Sequence, residues 1–264
     1  MNRIGFIGAG NMATAIIMGI AKSGMEISIS ATDLDSAKLE NLNKFGVSAK
    51  DSSKELVSDV DYLVLSVKPQ NFTEVLTELN DNIKQDTVVI SIAAGITPDF
   101  ISGCLGFEAK VVQVMPNTPL MLGYGATALC KTENVSEQEF DFVCDIFRCS
   151  GIVSVVPQNK MNEIIPINGS SPAFIYEFAR CFIEYGKSVG IDDKVSLDLF
   201  SQALIGSAKM MTDSGFSIEE LIAMVSSKGG TTIAGLEGFK EGNLQGVVQN
   251  ACEKCVKRAY ELSK

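Results

Sequence analysis

Short apolar runs alternate with helical patterns through the first half of the chain. Residues 4–7 read as a strand, and Asn11–Ser23 as a helix that Gly24 stops. Further strand patterns lie at 27–31, 62–67, 87–92, 111–115 and 126–129, and 36–45 is helical up to Gly46. The run at 62–67 is apolar without alternation, so both faces of that strand are expected to be covered. Strands of this kind separated by helical segments predict βαβ units on a mostly parallel sheet.

After Val156 the period changes. Phe174, Ile175, Phe178, Ala179, Phe182 and Ile183 recur at helical spacing behind Pro172. Asp192 or Asp193 is placed to cap a helix running to about Met211, Ser217 and Glu220 form a capping box for another, and 243–263 make a last one. The expected fold class is therefore α/β, a Rossmann-like domain over 1–157 followed by an all-helical domain over 158–264. Helices apolar on more than one face predict burial against a second chain.

The turn between the first strand and the first helix carries Gly8-Ala9-Gly10-Asn11-Met12-Ala13, a G-x-G-x-x-A in the context that gives this pattern its meaning. Gly8 allows a sharp turn, Gly10 allows a diphosphate to approach the backbone, and Ala13 allows close packing of helix on sheet. The helix N-terminus offers unpaired N–H groups to the anion. A dinucleotide site is expected here. Asp33 ends the second strand, where a carboxylate accepts from a ribose 2′-hydroxyl and repels a 2′-phosphate. Thr32 could donate to either, and Lys38 is within reach. The pattern leans towards NADH over NADPH, with a solvated turn aspartate as the other reading of Asp33. Three more loops follow predicted strands at their carboxyl ends: Ser66-Val67-Lys68-Pro69, Ala93-Ala94-Gly95 and Met115-Pro116-Asn117-Thr118-Pro119. Small residues at 93–95 would let a nicotinamide ribose pass, and prolines would hold Asn117 and Thr118 rigid.

Composition changes this picture in two ways. The 264 residues carry a net charge of −10, which disfavours nucleic acid and anionic membrane as partners. There is no histidine, so Ser-His or Cys-His catalysis and a histidine general acid are excluded within the chain. Seven scattered cysteines make no disulfide framework; Cys252 and Cys255 fall on a helical pattern with no second pair at zinc spacing, and no metal site is expected. No apolar run reaches membrane-span length and the N-terminus lacks the sections of a signal peptide, so a cytoplasmic protein is expected.

The second half holds two small, donor-rich turns, Asn168-Gly169-Ser170-Ser171-Pro172 and Ser227-Lys228-Gly229-Gly230-Thr231-Thr232. The latter could present consecutive N–H groups to a carboxylate, or simply cap a helix.

With GFIGAGNMATAI, SVKP, SIAAG, VMPNTP, NGSSPAF, GSAKM and GGTTIAGL in that order, the chain resembles the Δ1-pyrroline-5-carboxylate reductase family over essentially its whole length. The resemblance implies hydride transfer from NADPH or NADH to C5 of 1-pyrroline-5-carboxylate, giving L-proline. It also implies a helical domain that interleaves with a partner subunit, in a homodimer or a pentamer of dimers. By matching motifs it places Gly8, Ala9, Gly10, Asn11, Met12, Ser66, Val67, Lys68, Pro69, Ala93, Ala94 and Asn117 on the cofactor, with Ser53 near the adenine side. Ser227, Gly229, Gly230, Thr231 and Thr232 would bind the substrate, Gly230 and Thr231 holding its carboxylate by backbone N–H and Thr232 hydrogen-bonding the ring nitrogen. The sequence departs from the family at Lys228, where proline is usual, at Asn168, where serine is usual, and at Ile222-Ala223, where Lys-Asp is usual. Two other readings remain: a reductase of another small cyclic imine carboxylate, and a nucleotide-binding paralogue without activity.

Overall fold

The computed structural model describes residues 1–262. It divides into two compact units: Met1–Pro172 with the segment from Lys254 onwards, and Ala173–Glu253.

The first unit is built on an eight-stranded sheet of β1 (Asn2–Ile7), β2 (Ile27–Thr32), β3 (Ser48–Ala49), β4 (Tyr62–Leu65), β5 (Val88–Ser91), β6 (Lys110–Met115), β7 (Gly125–Lys131) and β8 (Gly151–Val155). Their order across the sheet is β3-β2-β1-β4-β5-β6-β7-β8. Every neighbouring pair is parallel except β6 and β7, which are antiparallel. The crossovers include α1 (Asn11–Ser23), α2 (Ser36–Asn43), α3 (Ser53–Ser58), α4 (Phe72–Leu79), α5 (Pro98–Leu105) and α6 (Glu137–Arg148). A 3₁₀ turn, Thr118–Leu122, takes the place of a helix between β6 and β7. A link that short suits an antiparallel neighbour, because a parallel crossover needs a dozen residues or more.

The strands divide their side chains between two cores, as a period of two requires. Tyr62 and Val64 of β4 join Ile4 and Phe6 of β1 against Ile16, Ile17 and Ile20 of α1 and Phe140, Val143 and Phe147 of α6. Leu63 and Leu65 face the other way, onto Leu56, Phe72, Leu76, Ile101 and Leu105. Burying both faces explains why these strands lack alternation in the sequence. The strand β8 was not expected. It lies at the edge of the sheet with Ile152 and Val155 exposed, and five residues containing a glycine and a serine give little strand signal.

The second unit is helical. It takes in most of α7 (Ser171–Ser188), then α8 (Asp193–Asp213), α9 (Ile218–Met224), α10 (Thr231–Glu241) and the start of α11 (Leu244–Leu262). Its caps are the expected ones. Asp192 accepts from the N–H groups of Lys194 and Val195, and Ser217 and Glu220 make a reciprocal capping box. Within it the rings of Phe182 and Phe200 stack 4.4 Å apart, and Phe178 meets both at a steep angle. Among the described residues, no apolar side chain from Ala173 to Glu253 is fully buried. Among the described residues no helix is long and apolar enough to cross a membrane.

Candidate active site

The sheet order reverses at β1. The chain moves outward to β2 and β3 on one side and to β4 and β5 on the other, which opens a crevice at the carboxyl ends of β1 and β4. Gly8 sits at its floor. Its φ of +95° is in the region that favours glycine, and a Cβ there would lie 2.5 Å from the carbonyl oxygen of Ser66. The Gly8 N–H donates to Thr32 O at 2.9 Å, and the Ser66 N–H donates to Ile7 O at 2.9 Å. The first turn, the end of β2 and the Ser66 loop are thereby knit into one edge.

Gly10 is the N-cap of α1, in extended conformation, with no side chain capping the helix. A Cβ built on it meets nothing within 4 Å. The space beside Gly10 is therefore open, and no side chain caps the N–H groups at the start of α1. A diphosphate fits such a cradle, since anions are favoured at a helix N-terminus. Ala13, fully buried, supplies the close helix–sheet contact.

Asp33 stands beside this loop. Its Oδ2 accepts from the Ala9 N–H at 2.7 Å, and its Oδ1 accepts from the Asp35 N–H at 2.9 Å and from Lys38 Nζ at 3.2 Å. Burial opposes the charge, but these three donors outweigh it and hold the carboxyl below the usual carboxylate range. Thr32 is buried next to it. Ser53 opens α3, just beyond the end of β3, with Ser52 as the capping residue.

The other cofactor loops named from the sequence follow β4, β5 and β6 along the same edge. Lys68 is exposed, while Ser66, Val67 and Pro69 are half-buried, as are Ala93 and Ala94. Asn117 is different: its side chain turns inward and is buried. Its Oδ1 accepts from the Ala126 N–H at 2.9 Å, and its Nδ2 donates to Asn168 O at 3.2 Å. Asn117 shapes its loop with a side chain whose two ends are both engaged inside the protein. Its partner Asn168 was not among the expected site residues; in the sequence it stands out as the first residue of a donor-rich turn and as a departure from serine.

In the helical unit, Ser227–Gly230 form a tight turn closed by the Gly230 N–H donating to Ser227 O at 2.9 Å. Gly229 has a φ of +74°, which this turn requires. Gly230 is the N-cap of α10, again with no side-chain cap, so the N–H groups at 231 and 232 are not taken by a capping side chain. Among the described residues no group of three or more metal-ligating side chains converges.

Comparison with known proteins agrees with this geometry. Residues 158–262 match the family model described as pyrroline-5-carboxylate reductase dimerisation, and residues 3–95 match the one described as NADP oxidoreductase, coenzyme F420-dependent. The pyrroline-5-carboxylate reductase of Escherichia coli K12 is 32% identical, over 99% of this chain and 98% of its own. The solved pyrroline-5-carboxylate reductase of Coxiella burnetii superposes with a TM-score of 0.91 at 32% identity, covering 99% of this chain and 98% of that one. The Plasmodium falciparum enzyme, solved with NADP bound, gives 0.89 at 27% identity over 100% and 98%. The chain belongs to the pyrroline-5-carboxylate reductase family.

Proposed function

We propose that this protein reduces 1-pyrroline-5-carboxylate to L-proline with NADH or NADPH as the electron donor. The observation that carries this is the open, side-chain-free N-terminus of α1 behind Gly8 and Gly10, in a chain similar over its whole length to reductases of that substrate.

In this reading Gly8, Ala9, Gly10, Asn11 and Met12 line the diphosphate, the N–H groups of Gly10, Asn11 and Met12 donating to it while those of Gly8 and Ala9 stay on Thr32 and Asp33, with Ser66, Val67, Lys68, Pro69, Ala93 and Ala94 along the same nucleotide. Thr32, Asp33 and Ser53 flank the adenosine, and Asp33 favours NADH because a 2′-phosphate would meet its negative charge. The loop of Asn117 borders the nicotinamide end. Ser227, Gly229, Gly230 and Thr231 line the substrate carboxylate, the N–H groups at 231 and 232 donating to it while the Gly230 N–H closes the turn, and the Thr232 hydroxyl bonds the ring nitrogen. Bound NADH or NADPH supplies the hydride that C5 of the imine accepts.

The residues present suit that chemistry. A protonated imine gains a hydride and becomes a neutral amine, so no developing alkoxide needs a proton from the protein. A chain without histidine can meet this demand by orientation alone. Backbone donors fix the carboxylate, Thr232 fixes the nitrogen, and neither transfers a proton.

The 158–262 region carries the dimerisation match, and the helices of the second unit bury no apolar core by themselves. We infer a homodimer as the working unit, with a pentamer of dimers as the larger assembly. Sedimentation at micromolar protein gives a dimer or decamer mass on this reading; a monomer refutes it.

The decisive assay is oxidation of NADH or NADPH on addition of 1-pyrroline-5-carboxylate. Turnover is expected. Turnover only with other cyclic imines would move the substrate, and tight nucleotide binding without turnover on any of them would make the protein a non-catalytic paralogue.

A further inference from the structure

Two buried amides tie the loop after β6 to the segment that leads into α7. Asn168 lies in a one-turn π-helix, Ile165–Gly169, whose second residue is Pro166. Its Nδ2 donates to Met115 O at 2.7 Å and to Ala126 O at 3.1 Å. Its own carbonyl accepts from Asn117 Nδ2, and Asn117 Oδ1 accepts from the Ala126 N–H. The last residue of β6, the second residue of β7 and the loop between them are thus held by one closed set of hydrogen bonds. Gly169 packs directly against the Met115 side chain, where a Cβ would come within 3.2 Å of its sulfur.

The set is not optimal for stability. Two carbonyls facing Nδ2 fix the orientation of the Asn168 amide, because the flipped amide would aim oxygen at oxygen. Oδ1 is then left buried without a partner. An unpaired buried acceptor is costly, and each such group in a native structure calls for an explanation, a catalytic role or a bound water among them. A π-turn inside a helical segment points the same way.

We propose that Asn168 is a positioning residue for hydride transfer, acting through the backbone of the Met115–Pro119 loop rather than on substrate or cofactor. The proposal rests on the reading that this loop borders the nicotinamide end. Its side chain spans two carbonyls on neighbouring strands, so it sets the height of the loop above the sheet edge. Errors of about 1 Å in such placement cost up to about a hundredfold in rate with little effect on binding.

The test compares the wild-type protein with Asn168→Ala and Asn168→Ser. The readings are thermal stability, the NADH dissociation constant from nucleotide fluorescence, kcat and KM with 1-pyrroline-5-carboxylate, and the primary isotope effect with 4-deuterated NADH. Asn168→Ala is expected to keep the NADH dissociation constant and the imine KM within about threefold while kcat falls about ten- to a hundredfold and the isotope effect rises. Asn168→Ser, whose hydroxyl can donate only one bond, should fall between. Unchanged kcat in a folded variant, or a kcat loss with no change in isotope effect, overturns the proposal. If Asn168→Ala does not fold, Asn168→Ser and Asn117→Ala decide on the same criteria. A wild-type protein inactive on the imine would sink the proposed function instead, which separates the two failures.

Discussion

Replacing Asp33 by alanine tests the nucleotide site most directly. The carboxylate has about four lone-pair directions for hydrogen bonds. Three are taken, by the N–H groups of Ala9 and Asp35 and by Lys38 Nζ. One remains for a ribose hydroxyl. A hydrogen bond to a charged group contributes about 1.5–3 kcal/mol, or roughly ten- to a hundredfold in kcat/KM. Asp33→Ala should therefore cost NADH about that factor. NADPH should lose less, or gain, because its 2′-phosphate no longer meets a negative charge. The substitution also frees the Ala9 N–H and loosens the glycine loop, which harms both nucleotides alike. The ratio of the two kcat/KM values removes this common loss and isolates the 2′ position. Steady-state rates with each nucleotide at saturating imine should show that ratio moving at least about tenfold towards NADPH. A ratio equal to that of the wild type would refute the reasoning, whatever happened to the separate rates.

Thr232→Ala should lower kcat/KM about ten- to a hundredfold, the scale of one lost positioning hydrogen bond, and unaltered kinetics would remove Thr232 from the mechanism. Lys228 occupies the second position of the Ser227–Gly230 turn, where proline is tolerated, so Lys228→Pro should raise stability in denaturant titration by about 0.4–1 kcal/mol; a loss would show that the turn cannot take the proline geometry. Asp61 accepts from Arg3 through Nη2, Nε and the backbone N–H, and these bonds, the guanidinium's first, hold its carboxyl below the usual range. Since the folded value lies below the unfolded one of about 3.9, the stabilisation is present above that pH and fades as pH falls through the lower folded value. Asp61→Asn should consequently flatten the decline in stability below about pH 5, and an acid limb as steep as that of the wild type would contradict the assignment.

What could be read from the sequence was whatever depends on neighbours along the chain. The bounds of α1 follow from the glycine turn before it, the apolar spacing within it and Gly24 in the left-handed region after it. The capping pair Ser217 and Glu220 spans three residues, and Asp192 caps N–H groups two and three residues on. Lys38, five residues from Asp33, does reach it. The glycine turn and the uncapped start of α1 were legible for the same reason, because they are properties of one turn. Strand direction was not. An apolar run reads alike in either sense, and only the short 3₁₀ link shows that β7 runs against β6. The inward turn of Asn117 was hidden too. A polar side chain between two prolines suggests a ligand contact, yet its partners are Ala126, nine residues on, and Asn168, fifty-one residues on. Asn168 in turn reaches back fifty-three residues to Met115. The residues that set the shape of this site are joined across the fold, so no local pattern marks them. The residues proposed to hold the phosphates need only a backbone and a glycine, and those a sequence displays openly.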